Sequence, residues 1–261
     1  MNLPAQIAAL TGRKAYTMDA IGKSGSEVRC YEDMVLKIEP RQEGFAADVA
    51  MLRWLQERIP VPQVLAAVQT QEQQFLLMSR IRGKMACDAQ LMLDPEGLVT
   101  MLADALKTLW AVDVAECPKH HTLEDDLLEA EKRVAQGRVD MDDVEPETFG
   151  PGGFESPQRL LAWLQENKPP LEPVLAHGDF CLPNVFFENG KLMGFIDLGG
   201  CGISDKWRDI ALCHRSLRHN FCGKYAACPQ EDFDPDLLFE KLGIAPNREK
   251  LRYYVLLDEL F

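Results

Sequence analysis

The stretch that most constrains this chain is His177-Gly178-Asp179-Phe180-Cys181-Leu182-Pro183-Asn184, followed after a short turn by Gly194-Phe195-Ile196-Asp197-Leu198-Gly199. Val174-Leu175-Ala176 before it, Val185-Phe186-Phe187 after it and Leu192 to Ile196 beyond Asn189-Gly190 read as short strands, the last two joined by a hairpin turn. Three polar groups thus stand at strand ends, where a rigid frame can aim them. Each taken alone reads as a turn residue, because Asp, Asn and Asp-x-Gly all favour turns. Their order and spacing, with a lysine-bearing strand upstream, point to a chemistry instead. One carboxylate can accept the proton of an attacking hydroxyl, while an amide oxygen and a second carboxylate hold magnesium on phosphates. Those are the needs of phosphoryl transfer from a magnesium nucleotide. Asp179 is therefore the expected catalytic residue, and Asn184 and Asp197 are the expected metal ligands.

Upstream, Met34-Val35-Leu36-Lys37-Ile38 is an apolar strand with one lysine inside it. A lysine among core residues is costly to bury unless a phosphate or carboxylate pairs with it. Before it, Asp19 to Val28 is a turn of small residues whose backbone N–H groups could approach phosphate oxygens, with Ser24 and Ser26 adding hydroxyl donors. An ordinary hairpin is the equal alternative there. Residues 1–10 and 44–58 read as helices, the second turning Leu52 and Leu55 inward, and Gln74 to Ser79 reads as a strand. From Asp94 onward Leu98, Leu102, Leu106 and Leu109 recur at helical spacing, and Leu123, Leu127 and Leu128 follow. The acidic run from Asp140 to Glu147, with Phe149 to Gly153 after it, reads as a loop. It is either a solvated surface or a source of carboxylates, Glu145 and Glu147, for a substrate cleft.

With 261 residues and 46% hydrophobic content the chain can bury a sizeable core, which suits one unit of two lobes. Met1-Asn2-Leu3-Pro4 lacks the features of a signal peptide and no apolar run approaches membrane-spanning length, so a cytoplasmic protein without a membrane partner is expected. Eight cysteines without a Cys-x-x-Cys spacing offer neither a zinc site nor a disulfide framework. A net charge of −13 argues against nucleic acid as partner, and it would steer a polycation toward the surface.

The motif His177-Gly178-Asp179 with Asn184, the run Gly194 to Gly199, and Ser204-Asp205-Lys206-Trp207-Arg208-Asp209-Ile210-Ala211 together resemble the aminoglycoside phosphotransferases, most closely their 3'-phosphotransferase group. The likeness runs from Ser24 to Leu256-Leu257-Asp258-Glu259-Leu260-Phe261. It implies an α+β, two-lobed protein-kinase-like fold. A small β-rich N-lobe, residues 1–80, would bind nucleotide, and a larger, mainly helical C-lobe, residues 81–261, would carry catalysis and substrate. The implied reaction moves the γ-phosphoryl group of ATP, or of GTP, with Mg2+, to the 3'-hydroxyl of an aminoglycoside, conferring resistance.

Further roles follow from the same likeness. Lys37 would grip the phosphates with Asp48, which stands where the family carries a glutamate, as its partner and Glu43 as the second choice. The Ser79 carbonyl and the Ile81 N–H would bond adenine. Asp258, Glu259, Phe261 with its terminal carboxylate, and the loop residues Glu145 and Glu147 would hold a cationic substrate. Asp209 would bond the catalytic loop, and His177 would orient it. The chain departs from the pattern at Gly200-Cys201-Gly202, where relatives often carry an arginine whose work would fall to Arg208 or Arg215. The alternatives are a kinase of choline, homoserine or a sugar, or a nucleotide-binding pseudokinase. The oligomeric state is left as monomer or homodimer, and the segment from Asn220 to Asp236 has no functional reading.

Overall fold

A computed structural model of the chain describes residues 3–18, 26–142, 144–222, 224–225, 230 and 232–261. In chain order come α1 (Ala5–Thr11), β1 (Thr17–Met18), β2 (Glu27–Cys30), β3 (Met34–Pro40), α2 (Phe45–Leu55), β4 (Val64–Gln69), β5 (Gln73–Ser79) and β6 (Lys84–Met85). Helices α3 (Pro95–Trp110), α4 (Leu123–Ala135), α5 (Pro146–Phe149) and α6 (Pro157–Glu166) follow, then β7 (Pro173–Ala176), β8 (Val185–Glu188), β9 (Lys191–Phe195) and β10 (Gly202–Asp205). Helices α7 (Lys206–Phe221), α8 (Leu237–Leu242) and α9 (Arg248–Asp258) come last. The chain divides into two compact units, Met1–Lys84 with Phe186–Gly199, and Met85–Val185 with Gly200–Phe261.

The first unit is built on the alternation within β3. Met34, Leu36 and Ile38 are buried, whereas Val35, Lys37 and Glu39 between them are half-buried, the period of a strand with one face on a core. β3 is the middle strand of an antiparallel sheet ordered β1-β2-β3-β5-β4. Its apolar face meets Phe75 and Leu77 of β5, Ala66 of β4 and Ile7 of α1. The opposite face consequently presents Lys37 and Glu39 side by side. The hairpin turn expected between β8 and β9 is formed by Asn189 (φ 50°) and Gly190 (φ 74°), both left-handed, as a two-residue hairpin loop requires.

The second unit is helical because its helices are started by their own sequence. Asp94 caps α3 by accepting from the Gly97 N–H at 3.0 Å, with Pro95 at the first helical position. Thr122 and Asp125 form a reciprocal capping box on α4, and Ser156 caps α6. Leu98, Leu102, Leu106 and Leu109 are all fully buried along α3, which packs on α8 and β7, while α7 packs on α9 and β7. β7 and β10 pair antiparallel, with Ala176 opposite Gly202. The loop expected over residues 140–153 contains one helical turn, α5, because Pro146 supplies the preset φ of a helix start. Among the described residues no helix is long and apolar enough to cross a membrane.

A buried polar knot ties α7 to α9. The Asp205 carboxylate, 3% exposed, accepts from the Trp207 N–H at 3.1 Å, the Tyr254 hydroxyl at 2.9 Å and the Lys250 ammonium at 3.2 Å. Lys250 also reaches Glu172 at 3.0 Å. Removing the cation leaves Asp205 charged and underpaired in a dry site, a change that costs about 3–5 kcal/mol. Lys250→Met is therefore expected to lower the unfolding free energy by about 3 kcal/mol or more in urea titration. A loss under about 1 kcal/mol would show that Asp205 does not need the ammonium.

Candidate active site

In the second unit, β7 delivers the chain into the loop His177 to Asn184, and buried side chains behind the loop hold its backbone. The Asp209 carboxylate, fully buried on α7, accepts from the His177 N–H at 2.6 Å and the Gly178 N–H at 2.9 Å. Burial pushes this carboxyl above its usual range, although His177 and the two N–H bonds work against the rise. The Leu182 N–H donates to the Ser216 hydroxyl at 3.0 Å. Gly178 has φ +90°, and a Cβ there would stand 2.2 Å from the Gly200 carbonyl oxygen, so only glycine fits.

On this frame the structure brings Asp179 and Asn184 together. The Asn184 carboxamide nitrogen donates to the Asp179 carbonyl at 3.0 Å and to its Oδ2 at 2.9 Å. Both bonds use the nitrogen, so the carboxamide oxygen is the atom able to ligate a cation. The Cys181 thiol donates to Asp179 Oδ1 at 3.1 Å. Burial, with the Asp179 charge beside it, pushes this thiol well above its ordinary range and keeps it a donor. Each oxygen of the half-buried Asp179 carboxylate thus has its own hydrogen bond, which fixes the direction in which it can receive a proton.

In the first unit, Lys37 pairs with Glu39 at 3.1 Å and with Asp197 at 3.5 Å. Burial pulls the ammonium down, but Asp197 and Glu39 outweigh it and hold Lys37 above its ordinary value. Glu39 also accepts from the Ser26 hydroxyl at 2.8 Å and the Gln74 carboxamide at 3.1 Å. Burial raises this carboxyl, and Lys37 with the two hydrogen bonds brings it below the usual carboxylate range. Asp197 is exposed and left-handed at φ 58°, an uncommon conformation for a residue with a side chain. Asp48 stands half-buried in the first turn of α2, and Ser79 closes β5 with its N–H on the Gln63 carbonyl at 2.8 Å. Ile81 follows half-buried, and Ser24 lies outside the described residues.

Three of the acidic residues expected to hold substrate are gathered in the second unit. Arg215 of α7 pairs with Asp258 and, at 3.2 Å, with Glu259, and the Glu145 N–H donates to the other Glu259 oxygen at 2.7 Å. Arg218 donates to one Glu145 oxygen at 2.6 Å, and the His219 Nε2 stands 2.5 Å from the other, its imidazole pulled below its ordinary value by burial. The Glu259 side chain is only 2% exposed. Burial raises its carboxyl, against the pull of the Glu145 N–H and Arg215. Phe261 lies under the Arg133 guanidinium, which also bonds the Leu260 and Phe261 carbonyl oxygens. Glu147 is exposed on α5. Of the two arginines considered in place of one at position 200, Arg208 is engaged by Asp126 at 3.0 Å and Arg215 by the tail.

Glu39, Cys181, Arg218 and His219 are the residues that sequence reasoning did not single out, and it considered Arg215 only as a replacement for the missing arginine at position 200. Glu39 had a usable signal, since residues two apart on a strand share a face.

The chain matches the phosphotransferase enzyme family over residues 21–237. It is 33% identical over 269 aligned residues to an aminoglycoside 3'-phosphotransferase of Niallia circulans, covering 100% of this chain and 98% of that protein. The crystal structure of an aminoglycoside-3'-phosphotransferase of type VIII superposes with a TM-score of 0.80 at 27% identity, covering 98% of each chain. Aminoglycoside phosphotransferase APH(3'')-Id of Streptomyces rimosus, solved in complex with ADP and streptomycin, has a TM-score of 0.78 at 26% identity, covering 98% of this chain and 96% of that one.

Proposed function

We propose, because the chain belongs to the phosphotransferase enzyme family, that it is an aminoglycoside phosphotransferase which moves the γ-phosphoryl group of ATP to the 3'-hydroxyl of its substrate. The observation that carries the reading is the doubly anchored Asp179 carboxylate on a loop pinned by Asp209. With its oxygens held by Asn184 and Cys181, Asp179 orients the attacking hydroxyl and takes its proton. Lys37 carries the positive charge that nucleotide phosphates need, and its present partners Glu39 and Asp197 keep it charged.

Asn184 and Asp197 supply hard oxygen donors suited to magnesium, which takes one or two protein ligands beside substrate phosphates. Bound magnesium would neutralise charge on the transferring phosphoryl group.

A coupled ADP-release assay tests the reading, with ATP and GTP as donors, on an aminoglycoside bearing a 3'-hydroxyl, its 3'-deoxy analogue, choline, homoserine and a sugar. The expected result is turnover of the first compound alone, with phosphorus NMR placing the new phosphoester on the 3'-oxygen. Turnover of the 3'-deoxy analogue at a similar rate would refute the position of transfer. Turnover of choline or homoserine in its place would refute the substrate class.

A further inference from the structure

Arg215, Arg218 and His219 lie three and four residues apart on α7 and so share one face. That face meets Glu145, Asp258 and Glu259, and the contacts divide into two kinds. Arg215 is inside, its side chain 17% exposed, and spans Asp258 and Glu259. Arg218 is outside, 45% exposed, yet its guanidinium and the His219 imidazole together occupy both oxygens of Glu145. Glu145 itself is 14% exposed, and its N–H is already committed to Glu259. Three carboxylates therefore face two guanidiniums and an imidazole that burial pulls below its ordinary value, so most but not all of their negative charge is already matched within the protein.

We propose that Arg218 is a specificity-determining residue that occupies Glu145 as a built-in stand-in for a substrate ammonium. A cationic substrate reaches Glu145 only by exchanging with Arg218. The exposed guanidinium is the one that yields, because it can rehydrate on release while the buried Arg215 cannot. This inference rests on the aminoglycoside reading of the site. Its consequence has an unusual sign: deleting a protein cation beside the cluster tightens substrate binding because it removes a competitor.

The test is a double-mutant cycle on Arg218 and Glu145 with an aminoglycoside bearing a 3'-hydroxyl, reading its KM against the KM for ATP. Arg218→Gln is expected to lower aminoglycoside KM roughly two- to fivefold, the scale of a half-exposed ion pair. Arg218→Lys, which keeps the competing charge, should stay near wild type. In a Glu145→Gln background the Arg218→Gln change should do nothing further. An unchanged or raised KM in folded Arg218→Gln protein overturns the exchange, and so does a decrease that persists without Glu145, since that marks a long-range field. If the wild type phosphorylates aminoglycosides and the cycle shows no coupling, the inference alone falls. If the wild type phosphorylates none, both fall together.

Discussion

Asp179→Asn is expected to lower kcat by about a hundred- to ten-thousandfold while leaving ATP affinity within a few fold, because a carboxamide cannot take the substrate proton. The substitution is close to isosteric, so the loop should keep its shape. The local hydrogen bonding does not carry over intact. Asn184 and Cys181 both donate to this side chain. A carboxamide offers only one oxygen, so one donor loses its partner. Single-turnover kinetics with calorimetric ATP binding would separate the chemical step from nucleotide affinity. Near-normal turnover would remove Asp179 from the mechanism.

Asp209→Ala is expected to damage both fold and turnover. The deleted carboxylate accepts from both the His177 and the Gly178 N–H groups, in a site it occupies with no exposure. Two buried N–H groups left unmet cost about 1–3 kcal/mol each, or roughly 2–6 kcal/mol together. The conservative Asp209→Asn should be nearly as harmful, since one of its two acceptors becomes a donor facing a donor. Urea titration measures the stability, and kcat measures how far the loop carrying Asp179 has drifted. An Asp209→Ala protein of wild-type stability would show that the loop backbone is satisfied in another way.

Much of this site was legible because it is local. Strand, turn and hairpin residues announce β7, β8 and β9, and the Asp179 to Asn184 spacing closes on itself through bonds between residues five apart. The capped starts of α3 and α4 likewise lie within a few residues of sequence. What was not legible depends on packing between distant segments. Arg215 meets Asp258 and Glu259 across 43 and 44 residues, so the tail reads as an open acidic cluster in sequence and is internally compensated in the structure. Lys37 shows the same limit at shorter range. The likeness to a family names Asp48 and Glu43 but not Glu39, which the pleat of β3 puts on the Lys37 face two residues away. The Cys181 contact depends on how the loop turns, which no pattern of residue types encodes.

The two glycines that face each other across this loop differ in how freely a population of variants can explore them. At Gly178 any side chain collides with the Gly200 carbonyl oxygen and must also adopt a left-handed backbone, so that codon is closed. At Gly200 an added Cβ would meet Gly178 no closer than 3.4 Å, ordinary contact, and its backbone is not left-handed. Gene copies selected under antibiotic pressure can therefore add a Cβ beside the catalytic loop through codon 200 without a backbone clash. They cannot do so through codon 178, which leaves the loop one open door for adaptation.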